Sequence, residues 1–207
     1  VSMELHVTAL GESTQAPAVK VLLGPRDAIG EAQPSTMAPT PRPGPVMSID
    51  IPRLKLHSSV VQTDWEAPSF TVGQIKGSAN ITLGNTVLIG HLTGAAGNVF
   101  AHLDQLEPGD EITAVSRGLP YSFVVSRMFE SSNTDSRPIQ PADDARLTLM
   151  TCAGVWNPFT HDYSERLWII AEPPEQAAAT IATAAVTATA VTAATATAIA
   201  LEPTATP

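Results

Sequence analysis

Between Val46 and Pro173 the chain predicts an all-β fold, a closed barrel or a sandwich of about seven or eight short strands. Three observations predict it. Runs rich in β-branched and aromatic residues recur, glycine and proline punctuate the gaps between them, and only one short segment carries helical periodicity.

The first run alternates, with Met47, Ile49 and Ile51 on one face and Ser48 and Asp50 on the other, until Pro52 stops it. Strand character returns at His57 to Gln62, Thr86 to His91, Glu111 to Ser116, Tyr121 to Phe129, Arg146 to Thr151 and Arg166 to Ala171. Turn signals separate them at Gly73, Gly77, Gly84, Pro108-Gly109, Gly118 and Pro138. The helical segment is Val99 to Leu106. Val99, Leu103 and Leu106 share a face there, Asn98 is placed to cap it, and Pro108-Gly109 ends it.

The flanks differ in kind. Residues 1–45 form an N-terminal extension that ends in a proline-rich linker from Pro34 to Pro45 and favours extended backbone. Residues 174–207 form a tail that is Ala and Thr from Ala177 to Ala200, broken only by Ile181, Val186, Val191 and Ile199. Neither offers the large side chains of a core, so residues 46–173 are the foldable domain. The tail reads as a low-complexity stalk or a frayed Ala-rich helix, extensions on both sides being expected to lack fixed structure. It exceeds the roughly 20 residues that span a bilayer, but its lack of Leu, Phe and flanking Lys or Arg makes a membrane anchor the weaker reading. Residues 1–33 lack a basic start followed by an apolar run, so they do not read as a signal peptide, and a start at Val1 fits a non-standard initiation or a truncation.

The formal net charge is −9, and the 11 Lys and Arg residues are scattered singly. No basic cluster is present to neutralise phosphates, which excludes nucleic acid as the expected partner. The single cysteine, Cys152, allows no intrachain disulfide.

Cys152 ends the apolar run Arg146 to Thr151 and is followed by Ala153-Gly154, small residues that leave a sulfur approachable. A lone strand cysteine is often only packing, and reactivity requires a cation nearby to favour thiolate. Among five histidines, His6 lies outside the domain, His57 starts a strand, His102 flanks the short helix and His161 sits in the loop before Arg166. His91 ends a strand directly after Gly90 and is the preferred partner. Arg166 opens the strand after Cys152, where an antiparallel return would bring the two level. It can equally be a strand residue paired with Glu165 or Asp162. Thiol, imidazole and guanidinium can serve as nucleophile, proton carrier and stabiliser of developing negative charge.

These residues resemble the signature of sortases, the cysteine transpeptidases of bacterial cell surfaces. Thr148-Leu149-Met150-Thr151-Cys152, the strand Gly84-Asn85-Thr86-Val87-Leu88-Ile89-Gly90-His91 and Arg166 opening the last strand carry the likeness. Ile49-Asp50-Ile51-Pro52-Arg53-Leu54, Val99-Phe100, Leu103, Leu106 and Pro108-Gly109-Asp110 extend it over residues 47–172. The resemblance implies an eight-stranded β-barrel with a substrate groove between loops. It also implies that Cys152 attacks the Thr carbonyl of a Leu-Pro-X-Thr-Gly-like sorting signal, forming an acyl-enzyme released by an amine or by water. His91 would be the acid and base toward the amines, Arg166 the oxyanion or substrate-positioning group, and Thr151 part of the groove wall. Ala153 and Gly154 would border the substrate, and Trp156 would either line the groove or pack over the barrel end.

The partners implied are surface proteins bearing a C-terminal sorting signal and a cell-wall or pilin amine acceptor, at the extracellular face of the cell envelope. Sortases usually carry an N-terminal membrane segment, which this sequence does not display. The long stretch Ala153 to Glu165, with Trp156, Phe159, His161 and Tyr163, is similar to class F or a related class D/E group. Calcium-stimulated members use acidic loop residues. Asp135, Asp143 and Asp144 are the candidates here but read as solvated surface charge, so no metal or other cofactor is expected. Two alternatives stand beside the transpeptidase: a thiol peptidase releasing to water, and a catalytically silent barrel that binds surface polypeptides.

Overall fold

A computed structural model describes residues 44–199, with backbone alone from 188 to 199. His6, most of the proline-rich linker and the final residues 200–207 lie outside the described residues.

Eight strands run β1 (Ser48–Ile51), β2 (Leu56–Thr63), β3 (Val72–Ile75), β4 (Asn85–Ile89), β5 (Glu111–Ser116), β6 (Leu119–Ser132), β7 (Arg146–Asn157) and β8 (Asp162–Glu172). They close in the order β1-β2-β3-β4-β7-β8-β6-β5, and β5 returns to β1. The pairs β2/β3 and β4/β7 are parallel, and the other six are antiparallel. Of the two architectures open on pattern alone, the barrel is the one formed.

Alternation sets the inside. Ile49 and Ile51 of β1, Ile112 and Ala114 of β5, Leu147 and Leu149 of β7, and Leu167 and Ile169 of β8 join one buried cluster. The strand period of two then turns Met150, Trp168 and their neighbours to the outer wall. There Ile75, Val87 and Ile89 form a second, smaller cluster with Ala67, Ile139 and Met150 packed on it. With apolar cover on both faces, all five residues of β4 are buried. Its polar members are satisfied: Asn85 Nδ2 donates to the carbonyls of Pro138 (2.8 Å) and Gln140 (2.9 Å), and Thr148 Oγ1 donates to Asn85 Oδ1 at 2.7 Å.

Two expectations are corrected. Gly73 is not a break between strands but lies inside β3, where a Cβ would run into Thr63 and Pro68. The segment Val99 to Leu106 is not an α-helix; turns lead into a single 3₁₀ turn at Leu103–Gln105. Eight residues ahead of a proline are too few to offset helix nucleation, and burial of Phe100, Leu103 and Leu106 against the barrel fixes the backbone instead. Of the two readings open for the tail, a stalk or an Ala-rich helix, the described part forms the helix, α1 (Pro174–Ile199). It starts with proline in its first turn, buries Ala177 and ties Thr180 Oγ1 to Glu172 at 2.8 Å. No helix among the described residues is long and apolar enough to cross a membrane.

Candidate active site

Three neighbouring strands, β4, β7 and β8, carry the candidate residues to one level. The parallel pairing of β4 with β7 ends at Ile89 opposite Met150. Two further bonds prolong the register: Gly90 N–H to Met150 O at 3.2 Å, and Thr151 Oγ1 to Gly90 O at 2.9 Å. His91 thereby comes level with Cys152. On the other side of β7, Cys152 pairs directly with Arg166. Adjacent strands lie about 4.8 Å apart, so the three residues form a row across three strands. Cys152 and Arg166 share the outer-wall parity of Met150 and Trp168, and His91 continues that of Val87 and Ile89.

Local packing holds the row. A Cβ on Gly90 would sit 2.7 Å from atoms of both Val99 and Phe100, so only glycine lets these two close beneath the strand end. Phe100 N–H returns to His91 O at 3.0 Å and anchors the His91 backbone from the side opposite β7. The rival histidines are placed elsewhere. His57 pairs with Asp50 (3.5 Å), His102 meets Gln105 (3.2 Å), and His161 lies edge-on to Trp156 at the turn between β7 and β8.

Arg166 is tightly held. Its Nη2 donates to both carboxylate oxygens of Asp162 at 2.8 Å, and its Nη1 donates to the carbonyls of Glu165 (2.9 Å) and Tyr163 (3.2 Å). Asp162 also accepts from Tyr163 N–H (2.8 Å) and Asn133 Nδ2 (3.2 Å). Burial, the largest influence on Asp162, pushes its carboxyl up, but the Arg166 hydrogen bond and the other donors outweigh it and leave it below the usual range. Of the two pairings open to Arg166 on sequence, Asp162 is the carboxylate bound, and the Glu165 side takes part through its backbone.

Cys152 is half-buried. Burial pushes its thiol above the ordinary range; Arg166 draws it down and Asp162 adds to the upward push. Burial thus favours the thiol over the thiolate. It borders a cleft of about 190 Å³ at the barrel rim, with Thr151, Ala153, Gly154, Phe100, Asp104 and Glu130. Burial, and then a hydrogen bond shared with Glu165, hold the Glu130 carboxyl above its usual range. Arg166 borders a second depression of about 300 Å³ on the outer wall, with Trp65, Asn133, Met150 and Trp168.

The expected substrate-binding residues divide. Thr151 and Ala153 reach the rim cleft, but both are buried, and the Thr151 hydroxyl is turned to Gly90 O. Gly154 has a left-handed φ of 76°, and a Cβ there would meet Ser164 and Glu165. It admits the neighbouring strand β8 on one side and borders the rim cleft on the other. Trp156 packs edge-to-face on its cross-strand partner Tyr163, ring centroids 5.1 Å apart, and lines neither depression. The acidic candidates do not assemble: Asp135 is bound by Arg137 at 2.8 Å, Asp143 and Asp144 are exposed, and no cluster of metal-ligating side chains occurs among the described residues.

Sequence reasoning offered Asp162 as one of two partners of Arg166 but missed Asn133 behind it, and missed Trp65, Met150 and Trp168 as lining of the outer-wall depression. Met150 and Trp168 had a signal, since each lies two residues from Cys152 or Arg166 on the same face. Trp65 had none, because nothing in a loop sequence says which wall it covers.

Cys152 opposite Arg166, with His91 level with it by register on the neighbouring strand end, sets a thiol, an imidazole and a guanidinium on one closed eight-stranded barrel. Residues 49–174, well over half of the chain, match the sortase domain, and the chain belongs to the sortase family, whose known members are cysteine transpeptidases of the cell envelope. Solved structures share the fold. Sortase C1 of Streptococcus agalactiae is 22% identical, with a TM-score of 0.52 over 60% of this chain and 65% of that one. A lid mutant of Corynebacterium diphtheriae sortase A is 24% identical, with a TM-score of 0.54 over 63% and 70%. Sortase C-1 of Actinomyces oris is 24% identical, with a TM-score of 0.54 over 62% and 74%. The shared part thus spans just under two thirds of the S. agalactiae enzyme. No curated protein matches the chain.

Proposed function

We propose that this chain is a cysteine transpeptidase acting on a Leu-Pro-X-Thr-Gly-like sorting signal. The observation that supports it most is the row of His91, Cys152 and Arg166 across β4, β7 and β8. In the reaction drawn, the Cys152 thiol loses its proton to His91 and its sulfur attacks the Thr carbonyl. Arg166 donates to the oxygen as negative charge develops. Collapse breaks the Thr–Gly amide, His91 returns the proton to the leaving amine, and a thioester is left on Cys152. An incoming amine attacks that thioester, its proton passes to His91, and the thiol is regenerated.

A thiol favoured by burial agrees with this cycle, in which substrate must arrive before ionisation is useful. The outer-wall depression, with Trp65, Met150 and Trp168, suits the apolar part of a sorting signal. The rim cleft carries Asp104 and Glu130, and such a carboxylate-bearing entrance favours a cationic amine. The amine belongs to a cell-wall precursor or a pilin, the donor is a surface protein, and the work is done outside the cytoplasmic membrane. No step calls for a metal or other cofactor.

A fluorogenic Leu-Pro-X-Thr-Gly peptide, incubated with and without an added primary amine, tests the reading. Cys152→Ala abolishes cleavage, His91→Ala and Arg166→Ala each lower kcat/KM by at least about 100-fold, and the amine diverts product from acid to amide. Undiminished cleavage by Cys152→Ala would end the enzymatic reading, and indifference to amine would make the chain a peptidase.

A further inference from the structure

Arg166 has donors on three nitrogens, and the protein already occupies two of them. Nη2 faces the Asp162 carboxylate and Nη1 faces two backbone carbonyls, whereas Nε–H has no protein acceptor among the described residues. Asp162 is in turn fixed by Tyr163 N–H within β8 and by Asn133 just past the end of β6. The clamp draws on β8 and on the turn just after β6 and leaves the guanidinium little freedom, with Arg166 the cross-strand neighbour of Cys152.

We propose that Asp162 is a positioning residue for the transpeptidation assigned above: it clamps the Nη2 edge of Arg166 so that Nε–H is the donor presented to a carbonyl held on Cys152. The inference rests on that functional reading. A guanidinium held in advance loses less freedom when the oxyanion forms, which makes its hydrogen bond worth more in the transition state. The same carboxylate also opposes ionisation of Cys152, against Arg166, so one residue acts on the pair in two separable ways. The other titratable groups near the thiol are Asp104 and Glu130, which border the same rim cleft, and, by continuation of the register, His91 two residues past the end of β4.

Asp162→Asn separates the two effects. Turnover of the fluorogenic peptide is expected to fall about tenfold, carried by kcat with KM little changed. The pH profile of Cys152 alkylation by iodoacetamide moves the opposite way, toward lower pH, because a negative charge has been removed. In an Arg166→Lys background, which cannot form the same fork, adding Asp162→Asn should change turnover by less than about twofold. A general loss of structure would lower turnover in both backgrounds and would show in the melting temperature. Unchanged or increased turnover, an additive loss in the double variant, or an unmoved alkylation profile each overturns the proposal. If Asp162→Asn does not fold, Asn133→Ala loosens the same clamp while keeping its charge; about a two- to threefold loss of kcat with an unaltered alkylation profile is expected, and full kcat overturns the proposal. A wild type that cleaves no peptide sinks the transpeptidase reading itself, while the alkylation profile still decides whether Asp162 acts on the Cys152–Arg166 pair.

Discussion

Gly90 sits where β4 gives way to His91, and the space above its Cα is already filled by Val99 and Phe100. Gly90→Ala forces those side chains or the strand end to move, at about 1–3 kcal/mol. Because His91 is the next residue, peptide turnover should fall beyond what the lower melting temperature explains, with Cys152 alkylation retained. Thr151 is the complementary case. Its hydroxyl joins the two strands just before the paired positions of His91 and Cys152. Thr151→Val keeps the shape but leaves the buried Gly90 carbonyl without that donor, a cost of about 1–3 kcal/mol in chemical denaturation. The thiol supplies a pH signature. Burial disfavours its charged form, so alkylation should go on accelerating with pH beyond the ordinary thiol midpoint of about 8.5. Arg166→Ala removes the one charge noted as drawing the midpoint down, and the profile should shift further toward alkaline pH. A wild-type plateau well below that ordinary midpoint would contradict a thiol favoured by burial.

At the scale of elements, the β7–β8 hairpin shows what sequence could and could not tell. Both apolar halves, Arg146 to Thr151 and Arg166 to Ala171, were legible from β-branched and aromatic content, and their antiparallel return predicted Cys152 opposite Arg166. The residues between them, Ala153 to Glu165, read as a loop because they lack a sustained apolar or β-branched run. In fact β7 runs on to Asn157 and β8 begins at Asp162, across a bulge between Ala153 and Trp156. Gly154 supplies the left-handed backbone of that bulge, and the Asn157 side chain caps the turn by accepting from Phe159 N–H at 2.9 Å. The turn is thus shorter than the loop expected from sequence, and strand pairing reaches past both apolar halves. β3 was lost because Gly73 marks a close approach within a strand rather than a turn. Asp162 was legible as a possible partner of Arg166, but Asn133, in the turn just after β6, is a tertiary neighbour that no local spacing encodes. Gly154→Ala tests the hairpin directly. The positive φ and the contact with Ser164 together should cost about 2–4 kcal/mol, seen as a lower melting temperature, with turnover reduced because Cys152 lies two residues away.

For the described molecule as a whole, closure of the barrel explains how a site made of strand ends keeps its shape. Every strand has two neighbours, so no edge is left to fray beside the row of His91, Cys152 and Arg166. The helix that follows β8 is attached to this closed body at its first two turns: Ala177 is fully buried and Thr180 bonds Glu172, while residues 182–187 are exposed. Farther along, Thr183 and Thr187 return their hydroxyls to carbonyls four residues back, to Ala179 at 2.9 Å and Thr183 at 3.0 Å, so these side chains serve the helix rather than the barrel. Stability should therefore depend on where the chain is cut. Ending it after Thr187 retains both anchoring contacts and should leave the denaturation midpoint and peptide turnover within error of the full chain. Ending it after Pro173 removes the buried Ala177 and the Thr180 hydrogen bond and should lower stability by about 1–3 kcal/mol in urea. Turnover measured well below the melting temperature should be preserved in both, because neither contact touches β4, β7 or the Cys152 row. A large loss of turnover on removing only residues 188–207 would mean that the tail takes part in the reaction rather than extending from a self-sufficient barrel.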